Sequence, residues 1–186
     1  MANTGPRPLH DAATAVALAR GAVGTGVYQL GTGDMDMTSG GPSDCFGFAY
    51  CWCYGVLRHR QGFNRGPWAT VEDDLNCNSA IEDAAHAGEL FEQVFTPAPG
   101  ILLAYPTIYL KGHPPFIGHI GIVVSVQRCL EWDHGRPSYS LLDVVQCHGP
   151  NGRRPGIVAS DGSVWDHHDA QWPKPEHRTK MLRALP

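Results

Sequence analysis

Charge is scarce in this sequence, and neither sign dominates. Aspartate, glutamate, lysine and arginine make up 17% of its 186 residues and leave a formal net charge of −4. Nothing resembles the basic stripe that a nucleic acid or an anionic membrane surface requires, so no nucleic-acid partner is expected. Long hydrophobic runs are absent too. No uninterrupted apolar stretch approaches the roughly 20 residues of a spanning helix, which excludes a transmembrane helix at this level. The opening MANTGPRPLHDAATAVALAR lacks a basic start, a continuous apolar core and a small-residue cleavage site. A chain of this kind is expected to have no signal peptide, to be made in the cytoplasm, and to stay there or leave by a signal-independent route.

Repeats, low-complexity linkers and a second composition regime are also missing. With 42% apolar residues the chain has enough hydrophobic surface for a core, and one domain over residues 1–186 is expected. The six cysteines are Cys45, Cys51, Cys53, Cys77, Cys129 and Cys147. Without an export signal they read mostly as buried thiols of a reducing compartment, not as a disulfide framework. Cys51 and Cys53 are separated by one residue and have no second pair, which does not suit a zinc knuckle. Asp166, His167 and His168 carry metal-ligand chemistry, but like His113 and His134 they read first as solvated loop residues. No metal is expected.

What is present begins with an alanine-rich helix over Asp11 to Arg20, capped near Asp11 and stopped by Gly21. Glycine density then makes residues 21–44 mostly loop. From Cys45 the segment CFGFAYCWCYGVLRHR places Phe48, Ala49, Trp52, Val56 and Leu57 at helical spacing. Ser43 or Asp44 is its expected cap, and Arg58, His59 and Arg60 sit at its far end. Asn78 to Ala87 reads as a further short helix ended by Gly88. ILLAY, HIGIVVSV and YSLLDVVQC read as strands; GIVAS and SVWDH suggest a hairpin across Asp161-Gly162. The proline-rich end reads as a surface tail. Helices before sheet give an α+β class, with N-terminal helices packed on an antiparallel sheet.

A nucleophilic cysteine needs thiolate character, partial exposure and a nearby imidazole. Cys45, at a helix N-terminus beside Gly47, meets the first demand through the unpaired N–H groups there, and its own N–H can serve a developing oxyanion. His119 opens a strand between Gly118 and Gly121, well placed as the base. The group that fixes its tautomer is expected on the neighbouring strand. His148 is the choice, with Gln146 the alternative because residues two apart share a face. Trp52 and Trp68 read as packing residues, while Trp165 and Trp172 offer surface for a glycan groove.

The ordered series GVYQLG, SDCFGFAY, PAPGILLAY, IGHIGIVV and VVQCHGPNG, from about Ala12 to about Asp166, resembles the NlpC/P60 cell-wall peptidases and, more distantly, the CHAP amidases. The resemblance implies a papain-like fold and a cysteine hydrolase acting on peptidoglycan stem peptides, at the bond between D-γ-glutamate and the diamino acid. It places Cys45 as nucleophile, His119 as base and His148 as third polar residue. Tyr28 becomes a site tyrosine that helps hold the oxyanion, and Asp44 a contact for the amino end of the substrate. No cofactor is implied, a monomer is expected, and no separate wall-binding domain is seen. Phe46 stands where the family commonly has serine, and Ile101 where it has the aspartate of a Pro-Gly-Asp turn. Two alternatives stay open: cleavage between muramic acid and L-alanine, or a non-catalytic module that holds stem peptides. A phage lysin, an injected effector and a recycling enzyme all fit the expected localisation.

Overall fold

Alanine-rich residues wind into α1 (Ala12–Gly21), and Asp11 accepts the Thr14 N–H at 2.8 Å as its cap. The computed structural model describes residues 8–30, 42–56, 76–127, 132–133, 136–149 and 156–186. Leu57, Arg58, His59, Arg60, Trp68, Cys129 and His134, singled out in the sequence, lie outside them. Val27–Tyr28 (β1) pairs in parallel with Pro42–Ser43 (β2), and the chain turns at Cys45 into a helix that is π-wound over Gly47–Trp52. An α-helix is expected there; instead Cys53 N–H reaches Phe48 C=O and Val56 N–H reaches Cys51 C=O, five residues back. Its aromatic residues meet four apart, Phe46 edge-on to Tyr50 at 5.6 Å and Phe48 tilted against Trp52 at 5.7 Å between ring centres.

The second helix, α2 (Cys77–Glu82), starts one residue before the expected Asn78 because Asn76 and Ser79 form a reciprocal cap. It continues as a π-turn over Asp83–Ala87 and stops at Gly88, whose φ of 60° is left-handed. Asp83 accepts the N–H groups of Leu90 and Phe91, each at 2.8 Å, and so fixes how β3 (Phe91–Val94) departs. The other strands are β4 (Leu102–Tyr105), β5 (His119–Val126), a short ribbon of β6 (Trp132–Asp133) and β7 (Arg136–Pro137), β8 (Leu142–His148), β9 (Gly156–Asp161) and β10 (Lys180–Ala184).

Six of these form one sheet in the order β3-β10-β4-β5-β8-β9, every neighbouring pair antiparallel. The architecture is α+β. Strand alternation divides the core in two. Ile120, Ile122, Val124, Val145, Cys147, Leu102 and Leu182 pack with α1 and the π-wound helix, and the Arg20 guanidinium ties the end of α1 to the Val124 carbonyl at 2.8 Å. On the other face Leu103, Val123, Val144 and Met181 pack with Trp165.

Two expectations are corrected here. SVWDH is no strand: Ser163–Gln171 is the helix α3, and Trp165 from it closes the second core. The Asp161-Gly162 pair resembles a hairpin turn, but Asp161 accepts the Ser163 N–H at 3.1 Å, and Gly162 passes the Tyr139 carbonyl so closely that an added Cβ would lie 2.0 Å from it. The proline-rich end is no surface tail either, since β10 inserts between β3 and β4 with Leu182 fully buried. Among the described residues no helix is long and apolar enough to cross a membrane.

Candidate active site

Three contacts pin the chain where it enters the π-wound helix. Gln29 N–H donates to Ser43 C=O at 2.8 Å, the Cys147 thiol donates to the same carbonyl at 3.3 Å, and Asp44 Oδ1 accepts the Gly47 N–H at 2.7 Å. Phe48 N–H returns to Asp44 C=O at 3.0 Å, so Asp44 is the cap and Cys45 opens the first turn. Cys45 is 5% exposed, and its sulfur accepts from the Ile120 N–H at the start of β5.

His119, the first residue of β5, is half-buried and hydrogen-bonded to Cys45. Its Nε2 donates to Gln146 Oε1 at 2.5 Å, and Gln146 Nε2 donates to Ser160 Oγ at 2.8 Å. With Nε2 engaged, Nδ1 is the nitrogen left for the sulfur. Trp165 stacks on the imidazole with ring centres 5.7 Å apart and planes at 28°. Gly121 makes that approach possible, because a Cβ there would lie 2.8 Å from Trp165 Cη2. The ring is thus held by a hydrogen bond at one edge and an indole against its face.

The electrostatics follow from these neighbours. A hydrogen bond from the Cys77 thiol holds the Cys45 thiol well below the usual cysteine range; burial opposes this, and the His119 charge, its hydrogen bond and the Ile120 N–H add to it. For His119 burial disfavours the imidazolium, but the Cys45 charge, its hydrogen bond, the Gln146 acceptor and Asp44 outweigh it and raise the pKa above the ordinary histidine value. Both shifts run in the direction that favours a thiolate–imidazolium pair. Burial, then the Cys45 and Asp44 charges, push the Tyr28 phenol upward, which keeps its O–H as a donor.

A cleft of about 190 Å³ reaches the sulfur, lined among others by Asp44, Cys45, Cys77, Asn78, Thr107 and Tyr109. Asn78 Oδ1 accepts the Thr107 N–H at 2.8 Å, which joins α2 to the β4–β5 connection along one wall. A larger cavity of about 860 Å³ runs past Leu9, Tyr54, Val94, Ile101 and Arg183, and neither Cys45 nor His119 borders it. Volume and chemistry are separated here, since it is the smaller cleft that Cys45 lines.

No family model, curated protein or solved structure matches this chain.

Of the residues the sequence singles out, Cys45 and Asp44 line the cleft, His119 lies beside Cys45, and Tyr28 lies close enough for the Cys45 charge to act on it. Asp44 spends one oxygen on the helix cap. His148 does not hold the His119 ring: its Nδ1 donates to the Gly149 carbonyl at 2.7 Å, and its ring stands edge-on to His119 at 5.6 Å. Gln146, two residues earlier on the same face and longer in reach, makes that bond instead. Phe46 turns into the core, 1% exposed, and Ile101 is also buried. Asp166, His167 and His168 diverge, since Asp166 caps the Tyr139 and Ser140 N–H groups at 2.8 Å each and His168 Nε2 meets the His177 carbonyl at 2.9 Å. Among the described residues no group of three or more metal-ligating side chains converges.

Sequence reasoning missed Cys77, Ser160 and the place of Trp165 against the imidazole. Asn76-x-x-Ser79, a reciprocal capping pattern, was the available sign that Cys77 opens a helix as Cys45 does. Together the groups supply a nucleophile, a proton donor and neutral O–H and N–H groups for a developing oxyanion, which is the equipment of acyl transfer.

Proposed function

We propose that this chain is a papain-like cysteine hydrolase of the NlpC/P60 type that cleaves peptidoglycan stem peptides at the bond between D-γ-glutamate and the diamino acid. What carries the reading is the chain of contacts Ser160–Gln146–His119–Cys45, which ends at a thiol with a lowered pKa beside a cleft. In the first step the Cys45 thiolate attacks the amide carbonyl carbon. The oxyanion takes hydrogen bonds from the Cys45 N–H and the Tyr28 O–H, and His119 gives its Nδ1 proton to the leaving amine. A water then enters; neutral His119 takes its proton while the hydroxide adds to the thioester. Collapse releases the carboxylic acid and restores thiolate and imidazolium.

Gln146 keeps the imidazole in one orientation through both steps, because its acceptor oxygen meets Nε2–H in either protonation state of Nδ1. The test is incubation of the purified protein with sacculi or defined muropeptides, with products identified by mass spectrometry. Fragments ending at D-γ-glutamate support the reading. New free L-alanine amino ends assign the bond to muramic acid instead, and unchanged release by Cys45→Ala removes Cys45 as nucleophile. Absence of products, with Cys45 alkylated no faster than a free thiol, leaves a cleft that only binds.

A further inference from the structure

Cys77 takes no part in the reaction just described, yet it stands beside the reacting sulfur. The two cysteines line the same small cleft, and Cys77 is the neighbour that lowers the Cys45 pKa most. Each opens a helical turn under its own cap, Asp44 before Cys45 and Asn76 before Cys77, so backbone geometry fixes both. Neither is part of a disulfide in this structure. We propose that Cys45 and Cys77 form a reversible oxidation site, in which a hydroperoxide oxidises Cys45 and Cys77 resolves the product to a disulfide that switches the nucleophile off.

The chemistry balances in two steps. The Cys45 thiolate attacks the peroxide oxygen, forming an S–O bond and breaking the O–O bond; Cys45 becomes a sulfenic acid and the peroxide leaves as hydroxide or alkoxide. The Cys77 sulfur then attacks the Cys45 sulfur, an S–S bond forms, and the sulfenic oxygen leaves with two protons as water. The two thiols are oxidised by two electrons, and the peroxide is reduced by the same two. A dithiol reductant reverses the result by thiol exchange.

The surroundings make Cys45 the selective target. Oxidation follows thiolate character and access; Cys45 lines the cleft, and its pKa is lowered by Cys77 and His119. Cys53 and Cys147 are held protonated by burial, Cys147 at about 12, and both are fully buried with Cys51 in the core. Without a neighbouring thiol, a sulfenic acid goes on to the irreversible sulfinic acid. Cys77 offers the exit to a recoverable state.

The site rests on the ionised Cys45 of the functional reading and not on its substrate, so the experiment reads both separately. The reduced full-length protein is treated with hydrogen peroxide, blocked with iodoacetamide, digested, and mapped by fragmentation mass spectrometry. A peptide pair joined through Cys45 and Cys77, which dithiothreitol separates while restoring Cys45 alkylation, is the expected result. In Cys77→Ser, the fraction of Cys45 that dithiothreitol fails to restore rises several-fold, with two oxygen atoms added to Cys45. Wild-type protein that accumulates sulfinic Cys45 without the cross-link overturns the proposal, as does cross-linking through Cys51, Cys53 or Cys147. A cross-link in a protein that cleaves no muropeptide supports the oxidation site and removes the hydrolase reading.

Discussion

Replacing Gln146 with alanine isolates the bond that orients the imidazole. Gln146 Oε1 lies 2.5 Å from His119 Nε2, and the donor is charged whenever the Cys45–His119 pair is ionised. A hydrogen bond to a charged group contributes about 1.5–3 kcal/mol, and about 1.4 kcal/mol is a tenfold change in rate. The sign is fixed by the chemistry. Losing the acceptor disfavours the imidazolium, so the thiolate loses part of its partner and the Cys45 proton is held to higher pH. Alkylation of Cys45 by iodoacetamide, measured below the ordinary cysteine pKa, therefore slows roughly ten- to hundredfold in Gln146→Ala, and the acid limb of its pH curve moves upward. His148→Ala is the matched control, because its Nδ1 proton goes to the Gly149 carbonyl; its alkylation rate stays within about twofold of wild type. Gln146 is 3% exposed, so urea melts of both variants are run alongside to show that each is folded at the assay temperature. An acid limb that does not move in Gln146→Ala, or a larger loss in His148→Ala, refutes the assignment of Gln146.

Three other outcomes are expected. In the wild type, alkylation sets in as pH rises through the lowered Cys45 pKa, and muropeptide hydrolysis falls as pH rises through the raised His119 pKa; alkylation that begins only in the free-thiol range removes the ion pair. Gly162→Ala forces a Cβ to within 2.0 Å of the Tyr139 carbonyl. Overpacking of that kind costs about 3 kcal/mol, read as a lower urea midpoint at unchanged slope, and a midpoint equal to wild type counts against the packing described here. Asp83→Ala removes the acceptor of two backbone N–H groups, Leu90 and Phe91, at about 1–3 kcal/mol each. Faster amide exchange at those two residues and a lower melting temperature are the readouts, and unchanged protection argues against the Asp83 clamp.

The parts of this molecule that were legible in the sequence are those encoded within a few residues. Asp11 before an alanine run, glycines around His119 and the β-branched run that follows are local signals, and the structure carries α1 and β5 where they point. Elements that draw their stability from distant partners were not legible. KMLRA is a short apolar stretch among prolines, and it becomes a strand because Met181 pairs with both Val94 and Leu103. FEQV is a strand for the same reason. SVWDHHDAQ was misread because Asp161-Gly162 suits a hairpin and a helix start alike, and the crowding against Tyr139 that decides the matter is invisible locally. At the site, strand parity put His148, the choice, and Gln146, the alternative, on one face, and side-chain reach together with the nearby Gly149 carbonyl gave the bond to Gln146. Cys77 lies a helix away from Cys45, with nothing in its flanking residues to announce the neighbour.

The place of β10 also bears on how the molecule is made. β3 and β4 share no ladder of their own; each is zipped to the strand that a ribosome delivers after both. Cys45 and His119 thus emerge early, on a sheet that lacks an interior member until residues 180–184 thread in, burying Leu182 on one side and Met181 on the other. A product truncated before Lys180 keeps Cys45, His119 and Gln146 and loses the seam between two pieces of their scaffold, so the sheet that carries His119 closes only after residues 180–184 are made.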